Sequence, residues 1–330
     1  MINKTREDSR PFASLSPDVV LDAAAAVDIR GDGRLLALNS YENRVYQLGT
    51  DDGLIILKFY RRGRWSDAQI LEEHIFTREL AQAELPVAAP LSIGGETLFH
   101  HGEYRFAAFP WLRGRTPELD AADSRVILGR TLARMHRIGA LGAFRHRPAL
   151  TVERLGHAAR RAVLASGLVP QGLIERYART SAQLLEAVAA AFAAAGPYAT
   201  VRLHGDCHLG NLLWSAQGPA FVDLDDCMGG PAVQDLWMLL SGSGDDQRRQ
   251  WAEVLEGYGQ FADFDLRQLP LIEPLRALRM LHHAAWVAQR WSDPAFPRAF
   301  PWFGEARNWE NYITDLADQW STIQEPPLLL

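Results

Sequence analysis

The chain has 330 residues, 48% hydrophobic and 22% charged, two cysteines and a formal net charge of −6 at pH 7. This length favours two lobes around separate cores, and the composition excludes an intrinsically disordered chain. The acidic balance argues against a general nucleic-acid-binding protein, because neutralising phosphates needs a basic surface. Few cysteines, no apolar signal segment and no apolar run long enough to span a bilayer predict a cytoplasmic protein without a membrane partner.

The first hundred residues have the pattern of short strands around one helix. Extended segments at 33–40 and 43–50 flank a polar Tyr-Glu-Asn turn, and the Ile- and Leu-rich segment 54–60 predicts a buried strand. A helix begins after Ser66, which we predict to be its N-cap, with Gln69 completing a capping box. Two further strands, joined by a Gly-Glu turn, complete this part of the chain.

The character of the sequence changes at residues 110–117, where Pro, Gly and Arg accumulate. Helical periodicity dominates beyond this point and is interrupted by three short extended pieces, ATVRLHG, NLLWS and PAFVDLDD. We therefore predict an α+β fold with a small β-rich lobe at 1–109, a hinge at 110–114 and a larger helical lobe at 115–330. The basic run at residues 61–64 is interpreted as a solvated turn.

The stretch VRLHGDCHLGNLLW, residues 201–214, allows two interpretations. His204, Cys207 and His208, with Cys227 further on, are residue types that bind zinc. Structural zinc sites usually have paired ligands in short knuckles on both sides, whereas the second side here has a single Cys among several Asp residues. A zinc site is therefore the weaker alternative.

The second interpretation concerns the carboxylates and amide of the same region. Asp206 and Asn211 lie on a loop between two short strands, and Asp223 follows an apolar strand downstream. This pattern is what metal-assisted phosphoryl transfer needs. One carboxylate orients the acceptor hydroxyl, while an amide oxygen and a second carboxylate hold Mg²⁺ against the phosphates.

Phosphoryl transfer also needs a cation on the nucleotide phosphates, and Lys58 is the candidate. It lies inside an apolar strand, where an ammonium group is costly unless it is paired. Glu73, in the helix that follows, is the candidate partner. The alternatives are that Lys58 reaches solvent from an edge strand and that Glu73, like the adjacent Glu72, faces water.

The strings LHGDCHLGNLLW and FVDLDD resemble the H-G-D-x-H-x-x-N and D-x-D pattern of the aminoglycoside phosphotransferase and choline kinase group of the protein-kinase-like superfamily. One bacterial kinase of this group has similar segments in the same order along its chain. In this sequence those segments are LNSYENRVYQ, LKFYRRGRW, ILEEH, PVAAP and GPAVQDLWMLL. The resemblance covers nearly the whole chain. It implies a bilobal protein-kinase-like fold in which the first lobe binds nucleotide and the second carries catalysis and the substrate.

The resemblance also implies a role for each candidate residue. Asp206 is the catalytic Asp, which positions the substrate hydroxyl or accepts its proton. Asn211 and Asp223 are the Mg²⁺ ligands, and Asp223 is also counted as catalytic. Lys58, held by Glu73, contacts the α and β phosphates of ATP.

Four other positions complete the predicted site. His204 is expected to organise the catalytic loop, and Asp235 to anchor the segment after the metal site. His208 either lies near the γ-phosphate or only packs. Asp225 either assists Asp223 at the metal or points outward.

This sequence departs from protein kinases in its phosphate-binding and regulatory segments. It has no G-x-G-x-x-G, so Ser40 and the backbone N–H groups of residues 41–43 are expected to cover the phosphates. The backbone of residues 109–112 is available for adenine. The absence of D-F-G and A-P-E motifs argues against regulation by activation-loop phosphorylation.

The resemblance implies an ATP- and Mg²⁺-dependent kinase that phosphorylates Ser or Thr hydroxyls of proteins in a bacterial stress response. We expect a monomeric phosphoprotein with a protein substrate and no nucleic-acid partner. One alternative is a small-molecule kinase for an amino alcohol, sugar or aminoglycoside, with Glu273 binding a cationic acceptor. Another alternative is a regulator that binds nucleotide without catalysis. The presence of the expected residue at every catalytic position argues against it.

Overall fold

The computed structural model describes residues 11–119, 123–242 and 244–325. Its N-terminal part is an antiparallel sheet of five strands with two helices. The strands are β1 (Gly31–Leu38), β2 (Arg44–Thr50), β3 (Gly53–Tyr60), β4 (Phe99–His101) and β5 (Tyr104–Pro110), and the helices are α1 (Pro17–Ala25) and α2 (Asp67–Gln82). The strand order is β1-β2-β3-β5-β4. The predicted strands and helix of this region are confirmed.

Lys58 lies at the centre of this sheet. On β3 it is opposite Val45 of β2 and Ala107 of β5, so the edge-strand alternative is wrong. Successive side chains of a strand point to opposite faces, which places Leu57 and Phe59 on the other side of the sheet. Those two side chains pack in a hydrophobic core with α1. The ammonium group therefore lies on the face that is covered by α2 and the C-terminal half of the chain.

Helix α2 has the capping box predicted from its sequence. The Ser66 hydroxyl accepts a hydrogen bond from the Gln69 backbone N–H at 3.3 Å, and the Gln69 side chain accepts one from the Ser66 N–H at 2.9 Å. Ile70, Glu73 and Thr77 lie on the buried face of the helix. Because these positions are three and four residues apart, the apolar contact of the helix with the sheet also sets the direction of Glu73.

After Pro110 the described residues are mainly helical, with four short strands in two antiparallel pairs, β6 with β9 and β7 with β8. These strands are β6 (Val201–Leu203), β7 (Leu212–Ser215), β8 (Gly218–Phe221) and β9 (Met228–Gly230). The helices are α3 (Ser124–Gly139), α4 (Ala158–Ala165), α5 (Ile174–Ala194), α6 (Val233–Trp237), α7 (Gly244–Tyr258), α8 (Ile272–Gln289), α9 (Ala295–Ala299) and α10 (Ala306–Gln324). In the described ranges, none of the helices combines the length and apolarity needed to cross a membrane.

The α+β architecture is confirmed, and besides short 3-10 turns the described residues contain three elements that were not predicted. They are α1, the three-residue strand β9 and a π-helical turn at Glu153–His157. Strand β5 continues through Pro110, the first residue of the predicted hinge. The division into lobes at 1–109 and 115–330 stays a prediction, and its outer ends lie outside the described residues.

Helices α3 and α7 cross with their backbones in contact. A Cβ atom added to Gly129 would lie 2.0 Å from the Val254 carbonyl oxygen, and one added to Gly257 would lie 1.9 Å from the Val126 carbonyl oxygen. Only glycine permits so close an approach of two backbones. This crossing positions α3, which packs against β6 immediately before the loop that carries Asp206.

We expect Gly129→Ala to lower the free energy of unfolding by about 1–3 kcal/mol, because the added methyl group forces the two helices apart. Denaturant titration measures this change. Gly172→Ala is the matched control, since an added Cβ there meets no atom within 4 Å. Equal stability of the two variants would contradict the close crossing.

Candidate active site

A cleft of about 890 Å³ separates the five-stranded sheet from the helical half of the chain. Its volume is in the range typical of small-molecule and cofactor sites. The structure brings all the predicted site residues into the lining of this one cleft; they are Ser40, Lys58, Glu73, Asp206, Asn211 and Asp223. Their catalytic and binding roles stay predictions, since no ligand is present.

The Lys58 ammonium group lies among three carboxylates. Its Nζ atom is 2.8 Å from Asp223 Oδ1, 3.3 Å from Asp225 Oδ1 and 3.8 Å from Glu73 Oε1. Burial by itself would lower the pKa of Lys58, but the charges of Asp223, Asp225 and Glu73 raise it well above its usual value. Lys58 is therefore charged, and the predicted pairing with Glu73 is present.

Glu73 is the weakest partner in this cluster. Burial, opposed by the nearby Lys58 charge, raises the pKa of Glu73 to about 7. Among the described residues no group donates a hydrogen bond to its Oε2 atom. The adjacent Glu72 has a different environment: its carboxylate accepts the backbone N–H groups of residues 145–147 at 2.5–2.8 Å. The alternative in which Glu73 faces water is wrong.

Asp235 anchors the loop that carries Asp206. Its buried carboxylate accepts hydrogen bonds from the backbone N–H groups of His204 at 2.8 Å and Gly205 at 2.9 Å. A Cβ atom on Gly205 would lie 2.2 Å from the Asp226 carbonyl oxygen, so this loop packs directly on the segment after Asp223. The His204 side chain donates to the Val222 carbonyl oxygen at 3.0 Å. His204 and Asp235 thus occupy the organising positions expected from the sequence.

Asp206 lies in the cleft between two basic side chains. His208 Nε2 is 3.3 Å from Asp206 Oδ2, and Arg279 Nη1 donates a hydrogen bond to Oδ1. Burial alone would raise the pKa of Asp206, but the hydrogen bond from His208 and the charge of Arg279 outweigh it and lower that pKa. Asp206 is therefore ionised at neutral pH. Arg279 is on α8, and no motif in the sequence pointed to it.

Asn211 and Asp223 present oxygen atoms to the cleft. The Asn211 amide group donates to the Asp206 carbonyl oxygen at 3.0 Å, which leaves its Oδ1 as a ligand atom. Asp223 has φ 58°, a left-handed conformation uncommon for residues other than glycine and often found at functional sites. The buried Asp225 Oδ1 atom accepts no hydrogen bond from the described residues. Carboxylate and amide oxygens of this kind fit Mg²⁺.

The cysteines do not form a metal site with these residues. Cys207 and Cys227 are fully buried free thiols, and burial raises the pKa of both. In the part of the chain that the structure describes, no three His, Cys, Asp or Glu side chains are grouped as a metal site would require. The zinc alternative therefore has no ligand cluster here.

Two expectations about charged residues are wrong. Asp225 does not point outward: it is 2% exposed, and its Oδ2 atom is 2.6 Å from Arg64 Nη1 and accepts from Asn43 Nδ2 at 3.2 Å. The interpretation of residues 61–64 as a solvated turn is wrong for Arg61, which is also buried and pairs with Asp293 at 2.6 Å, whereas Arg62 is exposed. Charges that are desolvated need such partners, and these partners come from segments distant in the sequence.

The turn between β1 and β2, residues 39–43, is attached to α8. The Glu42 carboxylate accepts a hydrogen bond from Trp286 Nε1 at 2.5 Å and lies 2.6 Å from Arg290 Nε. Within the turn, the Ser40 hydroxyl donates to a backbone carbonyl at 3.0 Å. The segment expected to cover the phosphates is therefore connected to the helix that carries Arg279.

Glu273 is not in the cleft. Its carboxylate pairs with Arg276 at 3.0 Å and accepts a hydrogen bond from Gln319 at 2.8 Å, which joins α8 to α10. The hypothesis that Glu273 binds a cationic acceptor is therefore wrong. The charged side chain of α8 that lines the cleft is Arg279.

Comparisons with known proteins agree with this geometry. The model of the phosphotransferase enzyme family matches residues 34–272. The chain is 44% identical over 320 residues to stress response kinase A of Escherichia coli (strain K12), and 43% identical to the serine/threonine protein kinase RdoA of Salmonella typhimurium, covering 97% of each chain. The solved structure of amicoumacin kinase hAmiN with AMP-PNP, Ca²⁺ and Ami has a TM-score of 0.75 at 17% identity, over 98% of this chain and 96% of that one. This last likeness confirms the protein-kinase-like fold.

The raised pKa of Glu73 predicts a pH-dependent stability. Between its usual value of 4.5 and about 7, the folded chain retains a proton that the unfolded chain has lost, so stability falls as the pH rises through this interval. We expect Glu73→Gln to remove a pH-dependent loss on the order of a few kcal/mol. Denaturant titrations from pH 4.5 to 7.5 measure it. Glu175→Gln, at an exposed position of α5, is the control, and a Glu73→Gln profile parallel to that of the unmodified chain would refute the assignment.

Proposed function

Since this chain belongs to the phosphotransferase enzyme family, we propose that it is a kinase that transfers the γ-phosphate of ATP to a Ser or Thr hydroxyl of a protein. One observation carries the proposal. A buried, charged Lys58 and an ionised Asp206 line the same cleft, together with the oxygen atoms of Asn211 and Asp223. This arrangement supplies a cation for phosphates, ligand oxygens for a metal and a carboxylate for the acceptor.

The nucleotide end of the cleft is suited to neutralising charge. Lys58 is held in place by the sheet and by three carboxylates, so its ammonium group is available to phosphate oxygens without reorganising the strand. Asn211 and Asp223 would hold Mg²⁺, which when bound neutralises charge on the β and γ phosphates. The turn at 39–43, held by its bonds to α8, would cover the phosphates and exclude water.

The acceptor end of the cleft has the carboxylate that the reaction needs. Asp206 accepts hydrogen bonds, and its lowered pKa keeps it ionised. In the transfer step the acceptor oxygen forms a bond to the γ-phosphorus as the bond to the bridging oxygen of ADP breaks, and the hydroxyl proton passes to Asp206. Positioning of the hydroxyl by a fixed carboxylate is a large part of catalysis in this reaction class.

A protein acceptor in a stress response is favoured by two of the relatives. Stress response kinase A and the serine/threonine protein kinase RdoA match nearly the whole chain at 43–44% identity, whereas the solved amicoumacin kinase shares 17%. The position of Glu273 outside the cleft removes the residue that would have favoured a cationic small acceptor. We also propose that the protein acts as a monomer, without nucleic acid or membrane.

We expect Asp206→Asn to lower the rate of phosphate transfer about 10²- to 10⁴-fold while the affinity for ATP is preserved, because the variant loses a positioned general base but not the nucleotide end of the cleft. Transfer from labelled ATP to a bacterial protein extract, and to a panel of amino alcohols, sugars and aminoglycosides, measures the rate. The control is Asp318→Asn, at an exposed position of α10.

Labelling of Ser or Thr in proteins by the unmodified chain, lost in Asp206→Asn and kept in Asp318→Asn, is the expected result. Transfer confined to one small alcohol would replace the protein-kinase proposal with the small-molecule alternative. Full transfer by Asp206→Asn would show that this carboxylate is not part of the reaction.

A further inference from the structure

We propose that Arg279 forms an anion-binding subsite at the acceptor end of the cleft and selects hydroxyl groups that have an acidic group close by. The inference rests on the proposed kinase function, since it names the chemical class of the acceptor. The expected acceptor in a protein is a Ser or Thr flanked by an acidic residue.

Arg279 has hydrogen-bonding capacity beyond its ion pair with Asp206. Among the described residues only its Nη1 atom has partners, Asp206 Oδ1 and, at 3.8 Å, Met238 Sδ. A guanidinium group has five N–H donors, and the side chain is 42% exposed where it lines the cleft. The remaining donors face the space next to the catalytic carboxylate, where a carboxylate or phosphate of the acceptor would be bound in a bidentate manner.

The wall of the cleft beside Arg279 continues with histidine and aromatic side chains. His283, one turn further along α8, lines the same wall; burial, together with the Arg279 charge, lowers the pKa of His283 and keeps it neutral. Aromatic rings continue the wall: His283 packs against Trp286 with 5.7 Å between ring centroids, and Tyr41 packs on Phe300 with 5.4 Å between ring centroids. These rings offer apolar contact and no charge.

The acidic residues that line the rest of the cleft are already paired. Glu42 contacts Arg61, Arg64, Arg290 and Trp286. The others, Glu73, Asp223, Asp225 and Asp226, lie at the nucleotide end with Lys58 or Arg64. Among the described lining residues these carboxylates, like Asp206, already have cationic partners, so a cationic acceptor would have to compete with those partners. An anionic acceptor would instead meet the donors of Arg279 that Asp206 does not use.

Binding of an acidic group would also change the state of Asp206. Arg279 Nη1 is paired with Asp206 in the structure, and an anion bound by the remaining donors of Arg279 would draw the guanidinium group away from that carboxylate. As the guanidinium group turns toward the acceptor, Asp206 becomes able to accept a hydrogen bond from the acceptor hydroxyl. Selection of the acceptor and activation of the catalytic carboxylate thus depend on the same side chain. Arg279 discriminates against a basic acceptor because it repels the positive charge and because such an acceptor offers it no anion to bind.

The experiment compares two matched acceptor pairs. The first pair is two Ser peptides that differ only in Glu or Lys beside the Ser; the second is 3-hydroxypropanoate and 3-aminopropan-1-ol. We expect the unmodified chain to prefer the acidic member by about tenfold or more in kcat/KM, the value of one charge-assisted hydrogen bond. In Arg279→Gln this ratio should fall to near one, and in Arg279→Glu it should reverse, with the KM for ATP unchanged. Arg298→Glu, an exposed charge reversal on α9, should keep the original ratio.

The outcomes separate this inference from the proposed function. A preference for the Lys peptide or for 3-aminopropan-1-ol, or an unchanged ratio in Arg279→Gln, overturns the subsite while kinase activity stands. Transfer to 3-hydroxypropanoate but to neither peptide supports the subsite and overturns the protein-kinase proposal.

Discussion

The ion pairing of Lys58 is the constraint on which the rest of the site depends. A charged ammonium at the centre of a sheet is stable only if carboxylates lie beside it. Here the partners are the buried Asp225 and Glu73 and the half-exposed Asp223. They come from the segment after β8 and from helix α2. The sheet, the helix and the segment that carries Asp223 and Asp225 must therefore meet at one point for the chain to fold without an unpaired buried charge. The geometry required for phosphoryl transfer is in this sense also a condition for stability.

A second layer of charges connects the same point to the helical half of the chain. Arg64 binds Asp225 and Asp226, and Glu42 binds Arg290, the residue that follows α8. In the structure these cationic and anionic groups of the cleft are paired with one another, and Arg279 and Asp206 form a further pair of the same kind. Under the proposed function, metal and phosphates would exchange with these internal partners, so binding replaces ion pairs rather than filling an uncharged cavity. Charges held in this way need little reorganisation when ligands bind.

The residues that line the site were easier to predict from the sequence than the buried ion pairs that surround them. The elements around Lys58 and Ser66 followed from periodicity and capping, and Asp206, Asn211 and Asp223 from their spacing, because local rules act over a few residues. The buried state of Asp225 and the ion pairs of Arg61 and Arg64 were missed. Such contacts join segments more than 150 residues apart, and no local pattern distinguishes an arginine of a solvated turn from one that is desolvated beside a carboxylate. Arg279 belongs to the same class: it lies in an ordinary amphipathic helix, and only the folded chain shows that it faces Asp206.

A crystal structure with a non-hydrolysable ATP analogue and Mg²⁺ tests the proposed roles of Lys58, Asn211 and Asp223 most directly. We expect the metal to be coordinated by Asn211 and Asp223, and the Lys58 ammonium group to leave Asp223 for the phosphates while it stays close to Glu73. These roles would be contradicted by a nucleotide bound in the cleft while Lys58 is still hydrogen-bonded to Asp223 and no metal lies at Asn211.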